Sequence, residues 1–218
     1  MPAAPPAVLL DVDGTLIDSN YQHALAWYRA LRERGRQFAL VDLHRHIGMG
    51  GDQLVKSIAG EAFADEHGEA AADGEKLRFA ELTGDLSPLP DAKELIAALR
   101  DRGCEVALAS SGSAEDTARS MRLLEATDLK HTTSADVEQT KPEPDLIAAA
   151  LELVDGDRSA LLVGDSTWDF EAAGRAGIRG VGVLTGGFSE EELRDAGARR
   201  VYARLADLIA DLDNVLED

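Results

Sequence analysis

Asp11 and Asp13 stand two residues apart where a short apolar segment ends. The segment is Ala7–Val12, whose length and branched residues are typical of a fully buried strand, and Gly14 follows it. Because ligands bind at the carboxyl ends of strands in an open parallel sheet, the two carboxylates could address different parts of one small substrate. An acidic turn at the end of a strand is the simpler interpretation of this segment taken alone.

Three other polar segments adjoin predicted strands or helix starts. Ser110-Ser111-Gly112-Ser113 offers hydroxyls, free backbone N–H groups and the positive end of a helix, all suited to an anion. Lys141 stands just ahead of a helix that begins with proline, where its charge could neutralise phosphate oxygens. Asp165 and Asp169 stand four residues apart and can share a helical face or flank a hard cation. A helix cap, a solvated lysine and an N-cap are the alternative interpretations.

Strands that alternate with helices are predicted to position these segments. This alternation is the pattern of βαβ units, and it predicts an α/β fold with a parallel sheet covered on both faces. Beyond Ala7–Val12, the predicted strands are Glu105–Ala109, Ser159–Val163, Gly180–Leu184 and, more weakly, Arg200–Ala203. The predicted helices are Asp91–Arg102, one capped by Ser113 that runs to Leu124, one from Pro144 or Asp145 to Val154, and Thr167–Ala176.

Residues 18–87 interrupt that alternation. From Asp18 to about Ser87 the sequence has helical periodicity and no strand-like segment. Gly48-Met49-Gly50-Gly51 predicts a turn or loop within this stretch, and Gly84-Asp85 with Ser87–Pro90 predicts a linker that returns to the sheet. We therefore expect an α-helical insert at 18–87, after the first strand, and a core formed by 1–17 and 88–218.

Taken in order, the four polar segments resemble the motifs of the haloacid dehalogenase superfamily of phosphatases and phosphotransferases, from Asp11 to Asp169. The resemblance implies a Rossmann-like core with the helical insert as a small cap domain. It also implies that Asp11 attacks phosphorus to form an aspartyl phosphate, while Asp13 protonates the leaving oxygen and then deprotonates the hydrolytic water. We expect Asp13 to keep its proton near neutral pH because the adjacent site is acidic.

The same resemblance assigns the phosphate-binding groups. It implies that Ser110 and the N–H group of Ser111 hold the phosphoryl oxygens, and that Lys141 neutralises charge on them and on Asp11. Such neutralisation is needed because Coulomb repulsion opposes the approach of a carboxylate to a phosphate dianion. The residues expected to bind substrate are Thr15, His23, Ser111 and Gly112.

A Mg²⁺ cofactor is the second source of positive charge that the resemblance implies. Its ligands would be Asp11, Asp165 and the backbone carbonyl of Asp13. Asp169 would support the site by orienting Lys141 or a metal-bound water.

Within the superfamily, the residues present favour a phosphatase. Dehalogenases lack the second aspartate and do not use Mg²⁺, whereas this chain has Asp13 and Asp165; P-type ATPases carry a lysine where Asp13 stands. The insert resembles the cap of the group that contains phosphoglycolate phosphatase and β-phosphoglucomutase, and that group acts on small phosphorylated metabolites.

The choice between a phosphatase and a mutase depends on two positions of the cap. His23 has a counterpart in β-phosphoglucomutase, but the mutase has an arginine that grips a second phosphate in the loop where this chain has Gly51. We therefore expect hydrolysis of a small phosphate monoester, as by phosphoglycolate phosphatase. A sugar phosphate mutase and a non-catalytic module that binds phosphometabolites are the alternatives.

The acidic composition limits the partners. The chain has 22 Lys and Arg against 41 Asp and Glu, a net charge of −19, which disfavours nucleic acid and anionic membrane surfaces. Screening confines such repulsion to about 8–10 Å, so a small phosphate in a lidded cleft would feel mainly local charges. The single cysteine, Cys104, lies in an apolar segment and is expected to be buried. With no recognisable leader or membrane segment, a cytoplasmic protein is expected, and its oligomeric state stays open.

His44, His46 and Trp168 have interpretations that are simpler than a role in metal binding or catalysis. His44 and His46 are expected on a polar surface of the cap, because no third metal ligand stands at a useful spacing. Trp168 is expected to pack against a core helix or to line the rim of the pocket.

Overall fold

The computed structural model describes residues 5–154, 156–157 and 159–217. Residues 1–4 and residue 218, which end the expected core ranges 1–17 and 88–218, lie outside these described residues. Residues 1–4 also belong to the segment in which we recognised no leader. The strands are β1 (Val8–Leu10), β2 (Ile17–Asp18), β3 (Ser87–Pro88), β4 (Val106–Ala109), β5 (Lys130–Thr132), β6 (Leu161–Gly164), β7 (Arg179–Val183) and β8 (Ala198–Tyr202). The α-helices are α1 (Asn20–Glu33), α2 (Leu40–His44), α3 (Gly51–Ala59), α4 (Glu61–Ala80), α5 (Ala92–Asp101), α6 (Ala114–Leu123), α7 (Asp145–Leu153), α8 (Thr167–Ala176), α9 (Glu190–Asp195), α10 (Leu205–Ala210) and α11 (Leu212–Glu217).

Six of the strands form a parallel sheet in the order β5-β4-β1-β6-β7-β8. Its central strands β4, β1 and β6 are apolar and fully buried, which is typical of a parallel sheet covered on both faces. In the register of this sheet, Val8 pairs with Val106 on one side and with Leu161 on the other.

Successive residues of β1 face opposite sides of the sheet. Val8 and Leu10 belong to a cluster with side chains of α5, α6, α10 and α11, while Leu9 packs with side chains of α7 and α8. This follows from the alternation of side chains along a strand. The predicted α/β fold with a parallel sheet and helices on both faces is therefore confirmed.

The helices α1 to α4, which we call the cap, surround a separate hydrophobic cluster. Its members include Trp27, Leu31, Leu43, Leu54 and Phe63. The chain leaves and re-enters the remainder of the protein, which we call the core, through β2 and β3, and these two short strands pair antiparallel with each other.

The predicted elements of the core are present, with ends displaced by up to about two residues. Cys104 is buried at 7% exposure, as expected. The expectation of a simple linker at Ser87–Pro90 is wrong for its first two residues, which form β3, because a two-residue strand carries no periodic signal. The strand β5 is absent from our prediction because it lies at the sheet edge and has two exposed residues, Lys130 and His131. Among the described helices, none combines the length and the apolar character needed to cross a bilayer.

Leu9 gives a test of how the buried sheet stabilises the protein. Its side chain is completely buried, so Leu9→Ala is expected to lower the free energy of unfolding by about 2–5 kcal/mol, measured by urea denaturation. Leu77→Ala is the matched control, since Leu77 is 68% exposed and should change stability little. A similar loss in both variants would contradict this account of the core.

Candidate active site

The ammonium group of Lys141 lies at the centre of a buried polar cluster. Its Nζ donates to Asp11 Oδ1 at 2.5 Å and to the carbonyl of Ala109 at 2.9 Å, and lies 2.8 Å from Asp169 Oδ1. The bonds to Asp11 and Ala109 use two of the three ammonium N–H groups, and Asp169 adds an ion pair. Burial alone would lower the pKa of Lys141, but the two carboxylates outweigh it and raise that pKa, so Lys141 is charged.

The sheet topology brings these acceptors together. Asp11 follows β1 and Ala109 ends β4, while Asp169 lies in the first turn of α8, which follows β6. Since β4, β1 and β6 are neighbours, their carboxyl ends meet. A capping box fixes Asp169, whose Oδ2 accepts bonds from the N–H of Ser166 at 3.1 Å and from its hydroxyl at 2.7 Å.

Asp165 lies beside Asp11 and accepts two hydrogen bonds from side chains. The hydroxyl of Thr15 donates to Oδ1 at 2.8 Å, and the amide of Asn20 donates to Oδ2 at 3.0 Å. Thr15 is fully buried and is not among the described residues that line the cavity, so its hydroxyl orients a carboxylate; its contact with a substrate stays a prediction.

Three buried carboxylates lie close together, and two of them contact the ammonium group of Lys141. Oxygen atoms of Asp11, Asp165 and Asp169 lie within 4.8 Å of one another. Burial raises the pKa of Asp11 to about 7, against the charge of Lys141 and with a further contribution from Asp169. Burial and the charges of the other two carboxylates also raise the pKa of Asp165. The cluster therefore favours either extra protons or an added cation.

The space and the donor atoms of this cluster fit a hard divalent cation. Asp11 Oδ2 is buried and has no hydrogen-bond partner among the described residues. A Cβ atom at Gly14 or Gly186 would overlap Asp165 Oδ2, so glycine at both positions keeps the surroundings of that oxygen open. Carboxylate oxygens are the donors that Mg²⁺ and Ca²⁺ prefer. The side chain of Asp13 lies outside this cluster.

Asp13 instead forms a polar chain with the cap. Its Oδ1 accepts a bond from the hydroxyl of Ser19 at 2.6 Å and lies 3.4 Å from Nε2 of His23. The other ring nitrogen of His23 lies 2.9 Å from Oε1 of Glu75, on α4, and the ring stacks on Phe79 with centroids 3.8 Å apart. His23 is therefore held in one orientation between two carboxylates.

These contacts overturn our expectation about the proton of Asp13. Burial alone would raise the pKa of Asp13, but the charge and hydrogen bond of His23, with the hydroxyl of Ser19, outweigh it and lower that pKa. Burial alone would lower the pKa of His23, but Asp13 and Glu75 raise it to about 10. At neutral pH His23 is therefore protonated and Asp13 is ionised, and each charge stabilises the other.

The segment after β4 offers groups for an anion. Ser110 is 1% exposed, and its Oγ accepts a bond from the N–H of Gly112 at 3.0 Å, which leaves the hydroxyl proton available. The hydroxyl of Ser111 is buried without a partner among the described residues. Ser111 and Gly112 line the cavity, and Ser113 caps α6 by accepting a bond from the N–H of Asp116.

A cavity of about 110 Å³ separates the cap from the cluster. Asp11, Asp13 and Ser111 form part of its core side, while Trp27 and Met49 form part of its cap side. Sites for drug-sized ligands usually measure about 300–1,000 Å³, so this cavity fits a much smaller molecule.

His44 and His46 of the cap also contact the core. His44 lies 2.9 Å from the carbonyl of Gly186, and the ring of His46 stacks on Trp168. Trp168 donates its ring N–H to the carbonyl of Arg45 at 3.1 Å. Both histidines are partly exposed and lie on the face of the cap that contacts the core.

Our sequence analysis missed two residues of the site. Asn20 holds Asp165, and Glu75 holds His23. The signal for Glu75 is its spacing, because it shares the buried face of α4 with Ala71 and Phe79 at intervals of four residues. For Asn20, the sequence signal is its place five residues after Thr15, close to the first motif.

Comparison with known proteins agrees with this arrangement. Residues 5–177 match the haloacid dehalogenase-like hydrolases. A phosphoglycolate phosphatase of Rhodospirillum rubrum is 32% identical over 223 residues, covering 94% of this chain and 89% of the relative. A hydrolase from Pseudomonas syringae has a TM-score of 0.91 at 34% identity, covering 96% and 99% of the two chains. A β-phosphoglucomutase from Clostridium difficile shares the fold, with a TM-score of 0.82 at 17% identity over 98% and 96%.

The capped parallel sheet with acidic residues at its carboxyl edge is an α/β architecture shared with these proteins. The chain belongs to the haloacid dehalogenase-like hydrolases. Within them it is a phosphatase, as the sequence predicted.

The raised pKa of His23 gives a pH-dependent contribution to stability. Between its ordinary value of 6.5 and about 10, the folded protein keeps a proton that the unfolded chain releases. The stabilisation by His23 is therefore complete below pH 6.5 and declines as the pH rises towards 10.

We expect the difference in unfolding free energy between wild type and His23→Gln to shrink from about pH 7 to about pH 9.5, measured by urea denaturation in EDTA. His131→Gln, at an exposed position, is the control. A difference that stays constant over this range would contradict the protonated His23.

Proposed function

We propose that the protein is a Mg²⁺-dependent phosphatase that hydrolyses a small phosphate monoester through an aspartyl phosphate on Asp11. The observation that carries the proposal is the Lys141 ammonium, which bonds to Asp11 beside two further buried aspartates at one end of a small cavity. A carboxylate prepared in this way can attack phosphorus only where positive charge offsets its repulsion from the phosphate.

Lys141 and the aspartates prepare the nucleophile. Lys141 fixes Oδ1 of Asp11, while Oδ2 has no partner among the described residues. Asp165, the carbonyl of Asp13 and one oxygen of Asp11 would hold Mg²⁺, which when bound supplies charge neutralisation for the phosphoryl group. Asp169 orients Lys141 because Ser166 fixes its other oxygen.

Asp13 and His23 carry out the proton transfers of the reaction. Asp13 forms part of the cavity wall and lies 3.4 Å from Nε2 of His23, which carries the proton at neutral pH and can supply it to Asp13. In this arrangement Asp13 passes that proton to the leaving oxygen and afterwards accepts one from the hydrolytic water. Such acid–base assistance contributes about 10²–10⁴-fold to the rate.

The serine segment binds the phosphoryl oxygens. The free proton of the Ser110 hydroxyl, the unpartnered Ser111 hydroxyl and the nearby backbone N–H groups all suit oxyanions. They orient the phosphorus towards Asp11, and orientation is most of what phosphoryl transfer requires of a protein.

A small organic phosphate is the proposed substrate, with phosphoglycolate the first compound to test. The cavity of about 110 Å³ leaves little room beyond the phosphate group. The relative from Rhodospirillum rubrum is a phosphoglycolate phosphatase. Gly51 carries no group that could grip a second phosphate, and a Cβ there would approach Trp27 to 3.1 Å, which disfavours a mutase.

Asp11→Asn tests the nucleophile. The amide cannot form the aspartyl phosphate, so turnover should fall by at least about 10⁴-fold while the fold is retained. The assay is Mg²⁺-dependent phosphate release from phosphoglycolate, a hexose phosphate, a nucleoside monophosphate, phosphoserine and p-nitrophenyl phosphate.

The matched control is Asp42→Asn, an exposed carboxylate of α2, which should retain full activity. Substantial activity of the Asp11→Asn variant would refute the proposed nucleophile. Isomerised sugar phosphate in place of free phosphate would favour a mutase, and no Mg²⁺-dependent turnover of any compound would favour a binding module.

Asp165→Asn tests the metal site in two ways. Loss of one anionic ligand should raise the Mg²⁺ concentration for half-maximal activity by about 10-fold or more. In EDTA at about pH 8 the variant should be at least as stable as wild type, because it removes a carboxylate whose pKa burial raises. An unchanged Mg²⁺ requirement together with a large loss of stability would indicate a purely structural role for Asp165.

A further inference from the structure

The cap binds the residue that directly precedes Lys141. The N–H of Thr140 donates to Asp52 Oδ2 at 3.3 Å, and its hydroxyl donates to the other oxygen of Asp52. The N–H of Gly50 donates to the Thr140 hydroxyl at 3.1 Å. Thr140 is 4% exposed, so these bonds close over a buried side chain. We call this contact between Gly50, Asp52 and Thr140 the clasp.

The local structure explains why glycine stands at position 50 and aspartate at position 52. A Cβ at Gly50 would lie 2.6 Å from Cγ2 and 2.7 Å from Cβ of Thr140, so only glycine allows this approach. Asp52 lies in the first turn of α3, where a carboxylate interacts favourably with the helix dipole. The loop Gly48–Gly51 lacks the arginine of the mutase, but through Gly50 it contributes a contact with the core.

The clasp acts one peptide bond away from the central cation of the site. Lys141 is completely buried, and its three partners are Asp11, which follows β1, Ala109, which ends β4, and Asp169, in α8 after β6. A backbone shift at Thr140 moves the Cα atom of Lys141, and with it the side chain, relative to these three partners. Because charge-assisted hydrogen bonds need short distances, such a shift weakens the neutralisation of Asp11.

We propose that Asp52 is a positioning residue that sets Lys141 through Thr140 when the cap lies over the cavity. The charge neutralisation at Asp11 is then complete only after the cap has enclosed the substrate and excluded water. This inference rests on the proposed function, since it concerns the role of Lys141 in phosphoryl transfer. It adds a connection between cap position and chemistry that is separate from the contact of His23 with Asp13.

The test compares Asp52→Asn and Asp52→Ala with Asp42→Asn, using the compound of the panel above that wild type hydrolyses fastest. We expect kcat to fall by about 10-fold in Asp52→Ala and less in Asp52→Asn, whose amide oxygen can still accept one bond, with KM changed by less than about threefold. Asp52 is exposed on its outer side, so both variants should fold and melt near the wild-type temperature. A kcat equal to that of Asp42→Asn would overturn the proposal.

A double-mutant cycle separates action through Thr140 from any other effect of Asp52. Thr140→Val removes the hydroxyl that both cap groups contact. If Asp52 acts through Thr140, adding Asp52→Ala to Thr140→Val should lower kcat by less than about threefold further. Losses that multiply independently would overturn the proposal.

Amide hydrogen exchange of the segment 137–146 tests the clasp independently of activity. Asp52→Asn should speed exchange of this segment, whereas Asp42→Asn should not. An unchanged exchange rate would overturn the clasp even in an active enzyme. Faster exchange in a protein without Mg²⁺-dependent turnover would leave the clasp in place and refute the proposed function.

Discussion

The burial of one ammonium group among three carboxylates is the constraint on which the rest of the structure depends. Lys141 has no exposed surface, so its charge must be compensated within the protein: Asp11 and the carbonyl of Ala109 accept hydrogen bonds from it, and Asp169 forms an ion pair with it. Removing one partner from such a buried ion pair costs about 3–5 kcal/mol, since the other charge is left without compensation. The fold must therefore hold four segments of the chain in fixed positions before any chemistry can occur.

A parallel sheet meets this requirement with little specialised structure. The neighbouring strands β4, β1 and β6 end at one edge, and each is too apolar to shift its register without exposing buried side chains. The capping box of α8 then fixes Asp169, and Thr15 and Asn20 fix Asp165. The unfavourable charge that remains is concentrated at one point, where a hard cation can bind.

The sequence predicted the core of the site because its residues follow their strands directly. Asp11 and Asp165 stand one residue after β1 and β6, so strand order alone brings them together. Contacts between residues that are far apart in the chain, whether within the cap or between the cap and the core, could not be predicted in the same way. Neither the bond between Glu75 and His23 nor that between Asp52 and Thr140 joins residues that are close in the chain. The protonation of Asp13 was misjudged for this reason, since the cation that controls it comes from the cap.

The division between core and cap also explains how an acidic protein can bind an anion. The net charge of −19 is spread over the surface, where salt screens it within about 8–10 Å. At the cavity, His23 and Lys76 of the cap form part of the wall, and Lys141 of the core lies buried behind Asp11. Because the cap contributes Trp27 and Met49 to the cavity wall, a change there alters which leaving group fits while Lys141 and its acceptors stay the same. The reaction type therefore depends on the sheet edge, and the choice of substrate depends on the helices that cover it.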